Sequence, residues 1–488
     1  MAEPLKPLVL MCSTPVSGHI IPMLAIARQL VKRKYDVCFV SGSGYREQAE
    51  ATGASFVPVE GYGDFYDLTS WDLDADWPAG QKHMEGPACF NHDLIHIFCK
   101  SLPSQYAAIQ RALSMFMLNR QSPPRPIIVM TESLNFGALP IILDAPGLRP
   151  SGFIAIGLNP ILLTSIDHSP FGTGMLPDRS PEGRARNKVA NAAQKQTFAE
   201  SQAHFAEALA SVGAKSPEAF LLDSLYSLPD RFVQMCAPSV EYLRTDAPAT
   251  LRFAGGYPRT QVSSSRGTGD QPERPSWWHE ITSDPTKKIV FVCQGTVAMD
   301  FSQLVVPTMA ALADRSDVLV TVALGRPGTS LPVDDDIPSN CRVAEYIPYD
   351  DLLPHCDVFV TTGGYGSFQR ALLHGTPLVM AGTTEEKPET AARAEWAGVA
   401  VNLRTSHPST GQLREAVDEI LGNTDKYKAR ALEIKAEIAM YDPVGVIVDN
   451  IEELAAEKGE AHEKEEEEGV RDAQNVATHL PLETRVEA

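Results

Sequence analysis

Short apolar runs alternate with amphipathic stretches through the first 60 residues of the chain. Leu8–Cys12 ("LVLMC") reads as a buried strand, and Pro22–Lys34 as a helix with apolar residues at helical spacing. Val37–Val40 reads as a strand, Tyr45–Thr52 as a helix and Ser55–Val59 as a strand. This rhythm predicts βαβ units and a parallel sheet. Pro22 suits the first turn of its helix, where a missing N–H costs nothing. From Gly61 to Pro87 the rhythm breaks into glycines, aspartates and aromatics, which predicts loops. Two more buried strands follow at 125–131 and 152–157, and residues 184–212 read as helical.

Near residues 255–288 serine, glycine and proline crowd together, as in a linker. A second βα series then begins. "KIVFVCQGT" and "CDVFVTTGGYGS" are strands running into turns, and "FQRALLHG" is a helix stopped by Gly375. The pattern predicts an α/β protein of two Rossmann-like domains whose parallel sheets face across a cleft. The expected divisions are 1–255 for an acceptor-side domain, 256–286 for a linker and 287–440 for a second domain. Residues 441–456 read as a helix returning to the first domain, and 457–488 as an acidic disordered tail.

Composition narrows the partners. The 488 residues carry a formal charge of −20, which disfavours nucleic acid and anionic membrane surfaces. No apolar run approaches the ~20 residues of a membrane span, so no stable membrane insertion is expected. The eight cysteines are scattered without a CxxC pair, which argues against a zinc site and for a reducing, cytoplasmic setting. The acidic runs "DLDAD" (72–76) and "VDDD" (333–336) read as solvated loops, so no metal site is assigned.

Turns at the carboxyl ends of parallel strands line ligand crevices, and three stand out. In "STPVSGHIIPML", Gly18 permits a tight turn and His19 precedes a helix. A helix N-terminus disfavours imidazolium, so His19 reads either as a neutral general base or as a helix cap. In "VMTESLNFGALP", Glu132 ends a strand, where it can orient a histidine or simply cap a helix. In "TTGGYGSF", the glycines either bring the backbone close to a ligand, with Ser367 opening a helix able to bind phosphate, or simply make a tight turn.

Together these stretches resemble the family-1 UDP-dependent glycosyltransferases, which have the GT-B fold. "GHIIPML" is similar to the family's N-terminal element, and "TTGGYGSFQRALLHGTPLVMAGTTEEKPETAARAEWAGV" to its donor-binding signature. "FGALP", "SPFGTG" and "QGTVA" resemble segments of bacterial and fungal members acting on small hydrophobic metabolites. The resemblance implies a UDP-sugar along the second domain and an acceptor alcohol or phenol in the first. It assigns His19 as general base, and Glu132 stands where relatives usually carry aspartate. On the donor side it implies Gly18, Thr296, Tyr346, Ile347, Thr362, Gly363, Gly364, Gly366, Ser367, Glu386 and Lys387. Tyr346 would stack on uracil, the backbone at Ile347 would read its edge, and Glu386 would accept sugar hydroxyls.

Two departures are visible. Thr362 replaces a phosphate-contacting histidine, and Arg370 replaces a glutamate that often holds the ribose. The implied activity is inverting, metal-independent transfer of a hexose, glucose foremost, to a phenolic, polyketide or terpenoid hydroxyl, without a cofactor. A sterol or hydroxy-lipid acceptor and a non-catalytic nucleotide-sugar-binding role are the alternatives. A monomer or weak dimer is expected.

Overall fold

The computed structural model of the chain describes residues 5–65, 86–118, 125–258, 274–295, 298–326, 328–331 and 337–459. Two all-parallel sheets organise it. The first contains β1 (Leu8–Cys12), β2 (Asp36–Ser41), β3 (Ser55–Pro58), β4 (Ile127–Glu132), β5 (Gly152–Gly157), β6 (Arg231–Gln234) and β7 (Leu251–Phe253), in spatial order β3-β2-β1-β4-β5-β6-β7. The second contains β8 (Lys288–Cys293), β9 (Val318–Ala323), β10 (Cys341–Ala344), β11 (Val358–Thr361), β12 (Leu378–Met380) and β13 (Ala400–Asn402), in order β10-β9-β8-β11-β12-β13. Strand runs such as "LVLMC" and "KIVFVC" are apolar nearly throughout because helices cover both faces of each sheet.

Strand order reverses once in each sheet. In the first it reverses between β1 and β4, where Cys12 pairs with Thr131. In the second it reverses between β8 and β11, where Cys293 pairs with Thr361. At such a switch point neighbouring loops leave in opposite directions and open a crevice at the strands' carboxyl ends.

The helix 443–459 packs on the first sheet, although it follows the second in sequence. Val444, Ile447, Ile451 and Leu454 are buried in one core with Val9, Met23 and Ile154. Each buried aliphatic side chain contributes ~1.5–3 kcal/mol. The ion pairs at its rim, Arg33 with Asp442 and Arg231 with Glu457, are partly exposed and contribute ~0–1 kcal/mol each. The chain therefore crosses between halves twice, and the crossings touch. A Cβ on Gly255 (φ +86°) would lie 2.1 Å from Tyr441 Cγ, so only glycine fits there.

Several expectations change. The first helix starts at Ser17, not Pro22, so His19 is in its first turn rather than before it. Pro22 lies inside the helix, where its missing N–H leaves the Gly18 carbonyl without an intrahelical partner. The segment 184–212 forms two helices, Pro181–Thr197 and Ala199–Ser211, broken at the buried Phe198. Part of the expected linker is structured. Ser276–His279 and Glu280–Ser283 are short helices whose Trp277, Trp278 and Ile281 join the second domain's core. A long helical run, Gly86–Asp93, Leu94–Cys99 and Lys100–Leu118, follows the expected loop. "DLDAD" and "VDDD" lie outside the described residues, as does the segment 460–488.

Candidate active site

The first switch point gathers a histidine and a carboxylate. Glu132 is the last residue of β4, and the helix Ser17–Lys32 brings His19 over it from β1. His19 Nδ1 lies 2.9 Å from Glu132 Oε2. The same carboxylate accepts from the Leu134 N–H at 2.8 Å and the Thr14 N–H at 3.3 Å. Burial alone would raise the pKa of Glu132, which is wholly inaccessible to solvent. The His19 charge and hydrogen bond, with the two N–H donors, outweigh burial and hold it below its ordinary value. An ionised carboxylate only accepts hydrogen bonds, so Nδ1–H donates to it and the lone pair of neutral His19 is on Nε2. The side chain of His19 keeps 12% of its exposure, while Glu132 keeps none. Glutamate is one methylene longer than aspartate, and the 2.9 Å contact shows that this pocket accommodates the extra length.

An apolar wall stands beside the dyad. Phe98 lies 6.0 Å from the His19 ring, and Phe65, Phe90, Leu134, Phe136 and Phe171 are buried in the same cluster. Phe98 belongs to the single π-helical stretch among the described residues, Leu94–Cys99. Such widened turns are frequent at functional sites.

The second switch point is built from backbone. After β11 the chain passes Thr362, Gly363 and Gly364 and enters the helix Tyr365–His374. Gly363 has φ +96°, and a Cβ there would lie 3.0 Å from Met380 Cε. A Cβ on Gly366 would meet nothing within 4 Å, so the helix start faces open space. Its orphan N–H groups and dipole favour an anion. A carboxylate already uses this field, since Glu386 Oε1 accepts from the Tyr365 N–H at 3.2 Å. Lys387 pairs with Glu385 and donates to Thr384 Oγ1 at 2.9 Å. Burial works against its charge, but Glu385 and Glu386 outweigh burial and raise its pKa.

The other expected donor residues are placed as follows. The Thr362 hydroxyl donates to the Gln294 carbonyl at 3.0 Å, so its proton is already committed across the β8–β11 switch point. The Ser367 hydroxyl meets Tyr349. Tyr346 is 36% exposed, and Ile347 is buried beside it. Gly18 faces open space at the start of the first helix, and Thr296 lies outside the described residues.

The two switch points face one another. Gln234 Nε2, at the end of β6, donates to Tyr365 Oη at 3.2 Å. Three strand spacings, or about 14 Å, separate β6 from β1 within the first sheet. The helical run from residue 86 bridges the same gap. Phe98 touches His19, while Asp93 responds to the charges of Glu385 and Lys387. Burial, aided by Glu385, pushes the Asp93 carboxyl up to about 6 against the opposing pull of His92 and Lys387.

Three features went unread in the sequence. Asp93 sits in a run without helical apolar spacing. Asp350, within "EYIPYDDLL" (345–353), pairs with Arg370 and holds His374 Nε2 at 2.9 Å, so a carboxylate does stand beside that arginine. Glu241 meets Arg393 across 152 residues, which no local pattern reveals.

Two facing Rossmann-like domains with a basic dyad on one side and a glycine-lined helix start on the other define a GT-B glycosyltransferase. The glycotransferase of kitacinnamycin shares the fold with a TM-score of 0.66 at 20% identity, covering 93% of this chain and 100% of that one. A family model described as the erythromycin biosynthesis protein CIII-like C-terminal domain matches residues 308–454. UDP-glucosyltransferase A1 of Starmerella bombicola is 39% identical, across 92% of this chain and 93% of its own. UDP-glycosyltransferase 2 of Phaeomoniella chlamydospora is 38% identical, across 96% and 100%. The chain belongs to the family-1 UDP-dependent glycosyltransferases. No helix among the described residues is long and apolar enough to cross a membrane.

Proposed function

We propose that this enzyme transfers a hexose, glucose foremost, from a UDP-sugar to a hydroxyl of a hydrophobic small molecule, with inversion. The observation that carries the reading is the 2.9 Å His19–Glu132 contact, set opposite the helix start at Tyr365. Glu132 holds the Nδ1–H tautomer, which puts the basic lone pair on Nε2 to take the acceptor proton. The acceptor oxygen then attacks the anomeric carbon as the bond to the β-phosphate breaks. UDP leaves with the electron pair, and its charge meets the N–H groups of Gly366 and Ser367. Tyr346, Ile347, Gly363, Gly364, Glu386 and Lys387 line the donor side. The apolar wall around Phe98 and Phe136 supports a phenolic, polyketide or terpenoid acceptor. The names of the two relatives support the UDP-sugar donor.

The test is UDP release across several UDP-sugars with a mixed library of phenols, polyketides and terpenoid alcohols, with glycosides identified by mass. NMR of the product should show the anomeric configuration opposite to that of the donor. His19→Ala is expected to lower acceptor-dependent turnover by about 10²–10⁴-fold while UDP affinity stays within about twofold. Unchanged turnover in that variant refutes the assigned base.

A further inference from the structure

A buried ionic quartet joins the two halves. Arg393, on the helix Lys387–Trp396 of the second domain, directs Nε at both oxygens of Glu241 in the first, at 2.9 Å each. Its Nη1 donates to Glu389 Oε2 at 2.8 Å, and its guanidinium lies 4.3 Å from the Tyr242 ring centre. Arg244 completes the set, donating to Glu241 Oε1 at 3.1 Å. Two cations and two anions balance, and all four residues are buried. Arg393 and Arg244 overcome the burial of Glu241 and hold its carboxyl at about 2, so the quartet stays charged.

Glu389 adds a second grip. Its Oε1 accepts the backbone N–H groups of Gly172, at 2.9 Å, and Gly174, at 2.8 Å, both from the first domain. Gly174 has φ +59°, and a Cβ there would lie 3.1 Å from the Pro388 carbonyl oxygen. The loop 172–174 is therefore shaped to seat on the start of this helix. That start is where the donor side is built. Glu386 and Lys387 open the helix, and Glu386 reaches the Tyr365 N–H. The first domain thus holds, through Glu389 and Arg393, the segment that meets both the sugar side and the diphosphate side of the cleft.

We propose that Arg393 and Glu389 are positioning residues that latch the sugar-side segment to the acceptor domain and keep water from the anomeric carbon. The inference rests on the UDP-sugar reading above. With the latch loosened, water replaces the acceptor. Its oxygen bonds to the anomeric carbon, the bond to the β-phosphate breaks, UDP departs with the electron pair, and one water proton passes to His19 or solvent. The products are free sugar and UDP, without glycoside.

The test measures UDP released and glycoside formed in parallel, in the full chain and in Glu389→Gln, Arg393→Lys and Arg393→Met. Glu389→Gln keeps an acceptor for the glycine N–H groups but loses the charge, and Arg393→Lys keeps the charge but loses the fork. Both are expected to raise the donor KM about five- to tenfold and the UDP-to-glycoside ratio at least about threefold. Arg393→Met should go further. If it fails to fold, the two conservative variants carry the test. Conservative variants that melt lower but keep the wild-type donor KM and product ratio would overturn the latch and leave a purely structural pair. Wild-type protein that makes no glycoside from any UDP-sugar would overturn the functional reading and the latch with it. Wild-type transfer with unmoved ratios in the variants overturns the latch alone.

Discussion

The two switch points use the same topology for opposite chemistry. At β1 and β4 the crevice holds side chains, His19 and Glu132, whose relation is fixed by a buried carboxylate with three donors. At β8 and β11 it holds backbone, with Gly363 at positive φ and Gly364 before a helix, and with the Thr362 hydroxyl turned inward to Gln294. Proton transfer needs one atom in one place, which a rotamer locked by hydrogen bonds provides. A diphosphate offers many oxygens, and a row of N–H groups at a helix start suits it better than a single side chain. The first half should therefore fail by loss of rate and the second by loss of affinity.

The largest expected effect comes from Glu132→Gln. A glutamine has one acceptor oxygen for the three donors that now share the carboxylate. Its amide N–H₂ facing Nδ1 would favour the tautomer with the proton on Nε2, where the proposed base needs its lone pair. Turnover is expected to fall about 10²–10⁴-fold. Donor KM should stay within about twofold, since the residue lies in the acceptor half. A rise in donor KM with preserved kcat would break the comparison. Glu132→Asp keeps the charge and tests whether reach matters, and it should recover part of the rate.

The sheets and the crevices they create were legible because buried parallel strands are short apolar runs and the turns after them carry glycine, histidine or acid. The helical run 86–118 was not legible. Residues such as Leu94, Ile95, Ile97, Phe98 and Cys99 are all buried, so no polar stripe marks the helix, and Pro103 lies within it. The same burial hid Asp93. For the dyad, the residue types and their place after β1 and β4 carried the reading, but the 2.9 Å contact spans 113 residues and exists only once the sheet forms. The start of the first helix was misplaced because Pro22 is a helix-start signal, and here the fold tolerates it in the interior.

A middle-sized effect belongs to Asp93, where the first half meets the second's charges. Its folded value is about 6 against an ordinary 3.8. Between those values the folded protein holds a proton that the unfolded chain has lost, so stability falls as pH rises through the window and is level above it. The whole window is worth up to about 3 kcal/mol. Asp93→Asn cannot ionise, so its advantage over wild type should be absent below about pH 4 and complete above about pH 6. Urea unfolding at pH 4, 5, 6 and 8 checks this. An advantage that does not change with pH would mean that Asp93 is paired in a way that cancels its burial, and that the acceptor half tolerates charge at its rim.

The smallest effect sharpens the other side. Gly363→Ala places a methyl at φ +96°, 3.0 Å from Met380 Cε. Strained φ of this kind costs ~1–3 kcal/mol, which the turn can relieve only by shifting. Met380 can give way at its flexible end, which places the cost near the lower limit. The shift falls on the turn that sets the N–H groups of Gly366 and Ser367. UDP affinity by calorimetry is therefore expected to weaken about tenfold, with kcat at saturating donor changed less than about threefold. The His19–Glu132 contact sits in the other sheet and does not share the strain. If kcat fell as far as KM rose, the diphosphate cradle would be acting in the transition state as well as in the ground state. Leaving-group charge, and not binding alone, would then be what this backbone is shaped to meet.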